Sequence, residues 1–216
     1  MGVNDQVEAR AMGIFLQTER LVLRQLTAAD AGHLFDLDSD PEVMRFLTGG
    51  GGTPREEIER DILPRFLGYY ARYDGFGFWA AIERASGDFL GWFSFRPHEG
   101  SAPGEVEIGY RLRRAAWGRG YATEGARALI RQGFGALGVR RVVANTYEHN
   151  VGSRRVLEKA GLTLVRRYRL TPADLATGDT FQANESAAAE VWDGDEVEYA
   201  LSREDWERQE TGTMRA

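Results

Sequence analysis

The chain has 216 residues, 43% of them hydrophobic, with no cysteine and a formal net charge of −6. That length suits one sizeable α/β domain with a buried core, and the absence of cysteine excludes a disulfide framework, a thiol nucleophile and a cysteine-based zinc site. The acidic balance argues against a nucleic-acid partner, which wants a basic stripe, and no apolar run approaches the ~20 residues of a membrane span.

Residues 1–16 read as a loose leader without an apolar signal core, so a cytoplasmic protein is expected; one domain over 17–206 and a short tail over 207–216 follow. Alternation over 21–26 predicts a strand, and Thr27 is placed to cap a helix opening at Ala28. The glycine run 49–52 is a flexible link. Thr53-Pro54-Arg55-Glu56 combines a cap, a first-turn proline and an acid, and predicts a helix towards Tyr73 with a bend at Pro64. Two strands, 76–83 and 89–95, flank the turn Ala85-Ser86-Gly87-Asp88 and are antiparallel neighbours. On the next strand, 106–112, Val106, Ile108, Tyr110 and Leu112 share one face; Glu105, Glu107, Gly109 and Arg111 share the other. Trp117-Gly118-Arg119-Gly120-Tyr121-Ala122-Thr123-Glu124 then leads into a helical pattern through Ala126, Ile130, Phe134 and Leu137.

A strand, a glycine-rich turn and a helix start form a place to hold a phosphate, because glycines let the backbone approach an anion and the first helical N–H groups lack partners. An ordinary tight turn contains the same Gly-x-Gly. A dinucleotide fingerprint requires a third glycine where Thr123 stands, and a Walker loop requires Lys and Ser/Thr after its last glycine; neither is present. Residues 142–145 read as another strand, and Asn150-Val151-Gly152-Ser153 opens a short helix that Gly161 ends. A further apolar run covers 162–165. The stretch 171–195 shows no pattern, which marks a functional or disordered loop, and 197–201 reads as a last strand. Acidic residues gather from Glu185 to Glu207, either as a solvated face or to attract a cationic acceptor. His33, His98 and His149 show no metal-ligand spacing, so no metal is expected.

These pieces together resemble the GCN5-related N-acetyltransferase (GNAT) superfamily, and within it the branch of ribosomal-protein N-terminal acetyltransferases (RimJ/RimL type). The resemblance rests on Thr18-Glu19-Arg20-Leu21-Val22-Leu23-Arg24, Glu107-Ile108-Gly109-Tyr110, the run 117–124, and Asn150-x-x-Ser153-x-x-Val156-Leu157-Glu158-Lys159-x-Gly161; it spans roughly 18–168, and Trp206 fits too. It implies a single-domain α/β fold with a mixed, mostly antiparallel sheet flanked by helices. The strands before Trp117 and after Arg140 would splay to admit acetyl-coenzyme A.

The resemblance also implies roles. Backbone N–H groups of Trp117, Gly118, Arg119, Gly120, Tyr121, Ala122 and Thr123 would hold the diphosphate; Trp117 stands where the superfamily pattern has Gln or Arg. Arg119 would add charge or simply face solvent. The backbone of Tyr110, Arg111 and Leu112 would pair with the pantetheine arm. Asn150 would contact that arm, cap its helix, or both. Glu107 is the candidate base, with a structural ion pair to an arginine as the alternative. The usual tyrosine acid is replaced by Leu157, which leaves Ser153 to hydrogen-bond the thiolate or only to start its helix. The acceptor is a primary amine. An α-amine of pKa ~8 asks less of a base than a lysine at ~10.4, by roughly 3 kcal/mol, so a protein or peptide N-terminus is expected, with a small-molecule amine as the alternative. A non-catalytic acyl-coenzyme A-binding module is a third reading, and a homodimer is compatible with the sequence.

Overall fold

The computed structural model describes residues 13–97, 100–169 and 194–213. Eight strands form one sheet in the order β1-β2-β3-β4-β5-β6-β8-β7. They are β1 Ile14–Gln17, β2 Leu21–Gln25, β3 Gly77–Glu83, β4 Phe89–Arg96, β5 Glu105–Leu112, β6 Arg141–Tyr147, β7 Thr163–Tyr168 and β8 Glu196–Ser202. Every neighbouring pair is antiparallel except β5 and β6. That pair needs a crossover, and α4 (Tyr121–Ala136) supplies it. The expected mixed, mostly antiparallel sheet is therefore present. The first strand opens at Ile14, and the final helix, α6 (Arg203–Thr213), runs past residue 206. Most of the patternless stretch 171–195 lies outside the described residues, as do residues 1–12.

Two layers of helix cover the sheet. On one face, α1 (Ala31–Asp38) and α3 (three segments spanning 55–72) bury Leu34, Leu37, Ile58 and Phe66 against Phe78, Ala80 and Trp92. The short α2, Pro41–Met44, follows α1. On the other face, α4 and α5 (Val151–Lys159) pack on Phe93, Phe95, Ile108, Val142 and Tyr199. Gly125 and Gly133 let α4 lie close, since a Cβ at either would strike the rings of Phe93 and Phe95.

Two local devices differ from the sequence reading. Thr53 does not cap α3: it is buried, and its hydroxyl lies 3.4 Å from Asp38 Oδ2, while the helix begins at Arg55 without a side-chain cap. The bend at Pro64 is taken up by a π-helical segment, Ile58–Ile62, in which the Leu63 N–H bonds the carbonyl five residues back. Proline has no N–H for the regular ladder and crowds the carbonyl before it, and the wider turn absorbs both effects. Among the described residues no helix is long and apolar enough to cross a membrane.

Candidate active site

The site begins where the ladder stops. β5 pairs with β4 from Glu107 to Leu112, but with β6 only at Glu105, Val106 and Glu107. Beyond Glu107 the two strands part, so the 108–112 edge of β5 faces a gap instead of a neighbouring strand. Tyr110 reaches across to α5, where its hydroxyl lies 3.1 Å from both the carbonyl and Oγ of Ser153.

The glycine-rich turn borders the open end of this gap. After a 3-10 turn, Arg114–Ala116, the chain passes Gly118 (φ 70°) and Gly120 (φ 83°) into α4. Both glycines occupy the left-handed region that side chains resist. The first helical bond runs from Glu124 N–H to the Gly120 carbonyl, so the N–H groups of Tyr121, Ala122 and Thr123 have no acceptor inside the helix. Open space lies beside Gly118. An anion with several acceptor oxygens fits this cradle.

The turn is tied down from several sides. The Trp117 indole N–H donates to the Leu112 carbonyl at 2.8 Å, which gives a side-chain task to a residue whose predicted part is backbone only. Arg20 donates to the Arg119 carbonyl at 2.9 Å. Arg119 itself pairs with Glu83 at 3.1 Å and lies over the Tyr121 ring. Glu124 accepts from Thr18 Oγ1, Arg20 N and Arg20 Nε. Burial pushes the Glu124 carboxyl up, but these hydrogen bonds outweigh it and hold the group below its usual range. Glu124 thus locks the turn to the first hairpin.

At the other side of the gap, Asn150 caps α5 by accepting from Ser153 N–H at 3.1 Å. Ser153 Oγ is engaged by Tyr110. Burial raises the Tyr110 phenol well above its ordinary range, only partly offset by the Ser153 hydrogen bond. The phenol is therefore neutral at any working pH and can donate. Sequence reasoning placed Tyr110 here for its backbone; the contact of its hydroxyl with Ser153 follows from tertiary packing. Tyr110→Phe should leave coenzyme A affinity unchanged and lower kcat about tenfold or more if this pair feeds a proton to the leaving thiolate. An unchanged kcat would confine Tyr110 to a packing role.

Glu107 lies at the closed end of the gap, on the face opposite Tyr110. Its carboxylate is 3.0 Å from Arg96 Nη2, with Arg96 3% and Glu107 15% exposed. Arg96 is seated by the Tyr69 and Phe78 rings and donates to the Tyr69 hydroxyl at 3.3 Å. The ion pair weighed for Glu107 as an alternative therefore exists, and the carboxylate remains 15% exposed beside it. The Arg111 side chain is buried against Asp38 at 2.6 Å and over the Trp92 ring, which leaves only its backbone for a cofactor arm.

One residue was read from the sequence only as a member of the acidic stretch from Glu185 to Glu207. Glu196, the first residue of β8, is 9% exposed, has no hydrogen bond or ion pair among the described residues, and is pushed up to about 7 by burial. The signal that singles it out is an alternation in which Val197, Tyr199 and Leu201 face α4 and α5 and Glu196 and Glu198 face the other way. With its folded pKa above the ~4.5 of the unfolded chain, the native state holds more protons between those values. Stability should therefore fall by about 3 kcal/mol as pH rises from 4.5 through 7, then level off. Glu196→Gln should remove that fall in urea-unfolding profiles; an identical slope in both proteins would assign it to other groups.

A splayed parallel strand pair with an anion cradle at its mouth defines the fold as that of the GNAT acyltransferases. A family model, the acetyltransferase (GNAT) domain, matches residues 20–163, and the chain belongs to this family of N-acetyltransferases. It is 30% identical over 205 residues to the FsC-acetyl coenzyme A-N(2)-transacetylase of Aspergillus fumigatus, covering 92% of this chain and 80% of that one. It is 32% identical over 162 residues to the N-acetyltransferase YoaA of Bacillus subtilis, covering 71% and 86%. Among solved structures, a GNAT-family acetyltransferase from Bacillus anthracis superposes with a TM-score of 0.70 at 22% identity, over 88% of this chain and 98% of that one. RimL, the ribosomal L7/L12 alpha-N-protein acetyltransferase in complex with coenzyme A, gives 0.68 at 18% identity, over 88% and 97%. Those two likenesses concern the fold.

Proposed function

We propose that the chain acetylates a primary amine from acetyl-coenzyme A, with a protein or peptide N-terminal α-amine as the acceptor class. The observation that carries this is the unpaired β5 edge, running from a carboxylate at its closed end to an anion cradle at its open end. The cradle over 117–123 takes the diphosphate, and the β5 edge over 110–112 takes the extended arm; the Leu112 carbonyl is already engaged by Trp117. The acetyl thioester supplies the acyl group.

Glu107 accepts a proton from the incoming amine, directly or through water, while Arg96 holds its carboxylate in place. The neutral amine attacks the thioester carbonyl carbon, a C–N bond forms and the C–S bond breaks. Tyr110 and Ser153 pass a proton to the departing sulfur and are reprotonated by the second proton that the nitrogen sheds once its C–N bond has formed, so that amide and free thiol leave together. A thiol of pKa ~8.5 departs with modest help. An amine of pKa ~8 asks less of the base than one at ~10.4.

The test is a thiol-release screen over free N-terminal peptides, blocked peptides carrying lysine, and small amines. The free N-terminal peptide should be acetylated at least tenfold faster than the same sequence with a blocked terminus and an open lysine. A second reading is favoured by the name of the Aspergillus relative, an N(2)-transacetylase of a compound called FsC: a small-molecule amine as acceptor. Rates that follow only small amines would select it and overturn the N-terminal assignment.

A further inference from the structure

Glu196 stands apart from the other carboxylates of the sheet. Glu105 and Glu198 share Arg141, and Glu198 also meets Arg166; Glu107 has Arg96. Among the described residues Glu196 has no such partner, although it is the most deeply buried of these residues at 9% exposure. Leaving a carboxylate in such a place is costly unless a cation reaches it.

Its neighbours say what kind of cation. In the ladder Glu196 is opposite Tyr147 on β6 and opposite Tyr168 on β7, and directly opposed residues point to the same side of a sheet. Tyr147 in turn meets the rings of Phe46 and His149, at 6.0 and 5.1 Å between centroids. Tyr168 donates to Asn145 at 3.2 Å, and its phenol is raised by burial and by the nearby Glu196 charge. A carboxyl flanked by aromatic residues attracts an ammonium or guanidinium; one such group, the Arg166 guanidinium, already lies 4.2 Å from the Tyr168 ring centroid.

The row also shares a face with Glu107, the proposed base. Arg141 donates to both Glu105 and Glu198, which puts Glu105, Glu107, Glu198 and Glu196 on one face, away from α4 and α5. Glu107 is level with Val143 and Glu196 with Tyr147. Four residues at strand rise place Glu196 about 13 Å further towards the open end of the gap. That is too far for it to share the reacting nitrogen with Glu107, and near enough to hold another part of the same molecule.

We propose that Glu196, between Tyr147 and Tyr168, binds a second, positively charged group of the acceptor and so selects cationic amines. This rests on reading the gap as the acceptor side of an acetyltransferase. Binding is therefore read without turnover. Two probes, a tetrapeptide amide with a free amino terminus and lysine at its second position, and butane-1,4-diamine, are titrated calorimetrically into the coenzyme A complex of the parent, Glu196→Gln and Glu198→Gln. Glu196→Gln should weaken at least one probe about tenfold, the scale of a lost charge-assisted contact. Its affinity for coenzyme A should match the parent, and Glu198→Gln should bind the probes like the parent. Equal affinity in parent and Glu196→Gln, or no binding of either probe to the parent, overturns the proposal. A protein that binds the probes through Glu196 yet releases no thiol would overturn the transferase reading instead.

Discussion

Gly120→Asp should weaken acetyl-coenzyme A binding at least 100-fold. Aspartate is ordinarily a good residue at a helix N-terminus, so α4 itself does not suffer from the charge. The damage comes from setting a carboxylate against the diphosphate: at about 5 Å and an effective dielectric near 20, each pair of like charges costs about 3 kcal/mol. Gly120 has φ 83°, so any side chain there also strains the backbone, and a Cβ would lie 3.3 Å from Arg20 Nη2. Gly120→Asn carries the same strain without the charge and tolerates the left-handed region about as well. Calorimetric Kd values should therefore rank parent, Asn and Asp, with the larger step between the last two. Equal affinities for the two variants would place the diphosphate elsewhere.

Glu107→Gln should lower kcat about 100-fold, within the range of general-base losses, while leaving the Kd for acetyl-coenzyme A unchanged. The deficit should shrink as pH rises and more of the amine is neutral without help. The ion pair with Arg96 adds a second effect. Removing one partner of a buried pair is destabilising by about 3 kcal/mol, so a lower Tm is expected beside the lower kcat. Combining Glu107→Gln with Arg96→Met should recover stability but not turnover. Recovery of both would reduce Glu107 to a structural counter-ion, and a loss of cofactor affinity would tie it to the arm.

Much of this site could be read from local sequence. The turn around Gly118 and Gly120, the cap at Asn150 and the alternation of β5 are short-range patterns, and each landed on the expected element. The partners of the charged side chains could not be read. Arg96 meets Glu107 because β4 and β5 pair in one particular register, and Asp38 meets Arg111 across two layers. Thr53 had every local mark of a cap, yet Asp38 offered its hydroxyl a buried acceptor instead. Glu196 looked like one more acid in an acidic stretch, and only the strands on either side of it make it buried. Pro64 announced a bend, but whether the helix breaks or widens depends on what packs against Ile58 and Leu63.

The short contact between β5 and β6 divides the sheet mechanically. On one side stand five strands joined by long antiparallel ladders, on the other three. Three residue pairs form the seam, with α4 as the covalent strap across it. A ligand lying along the open edge would act as a missing strand and stitch the two halves together. Occupancy of the site would then register far from the cofactor itself, as slower amide exchange in β6 and β8.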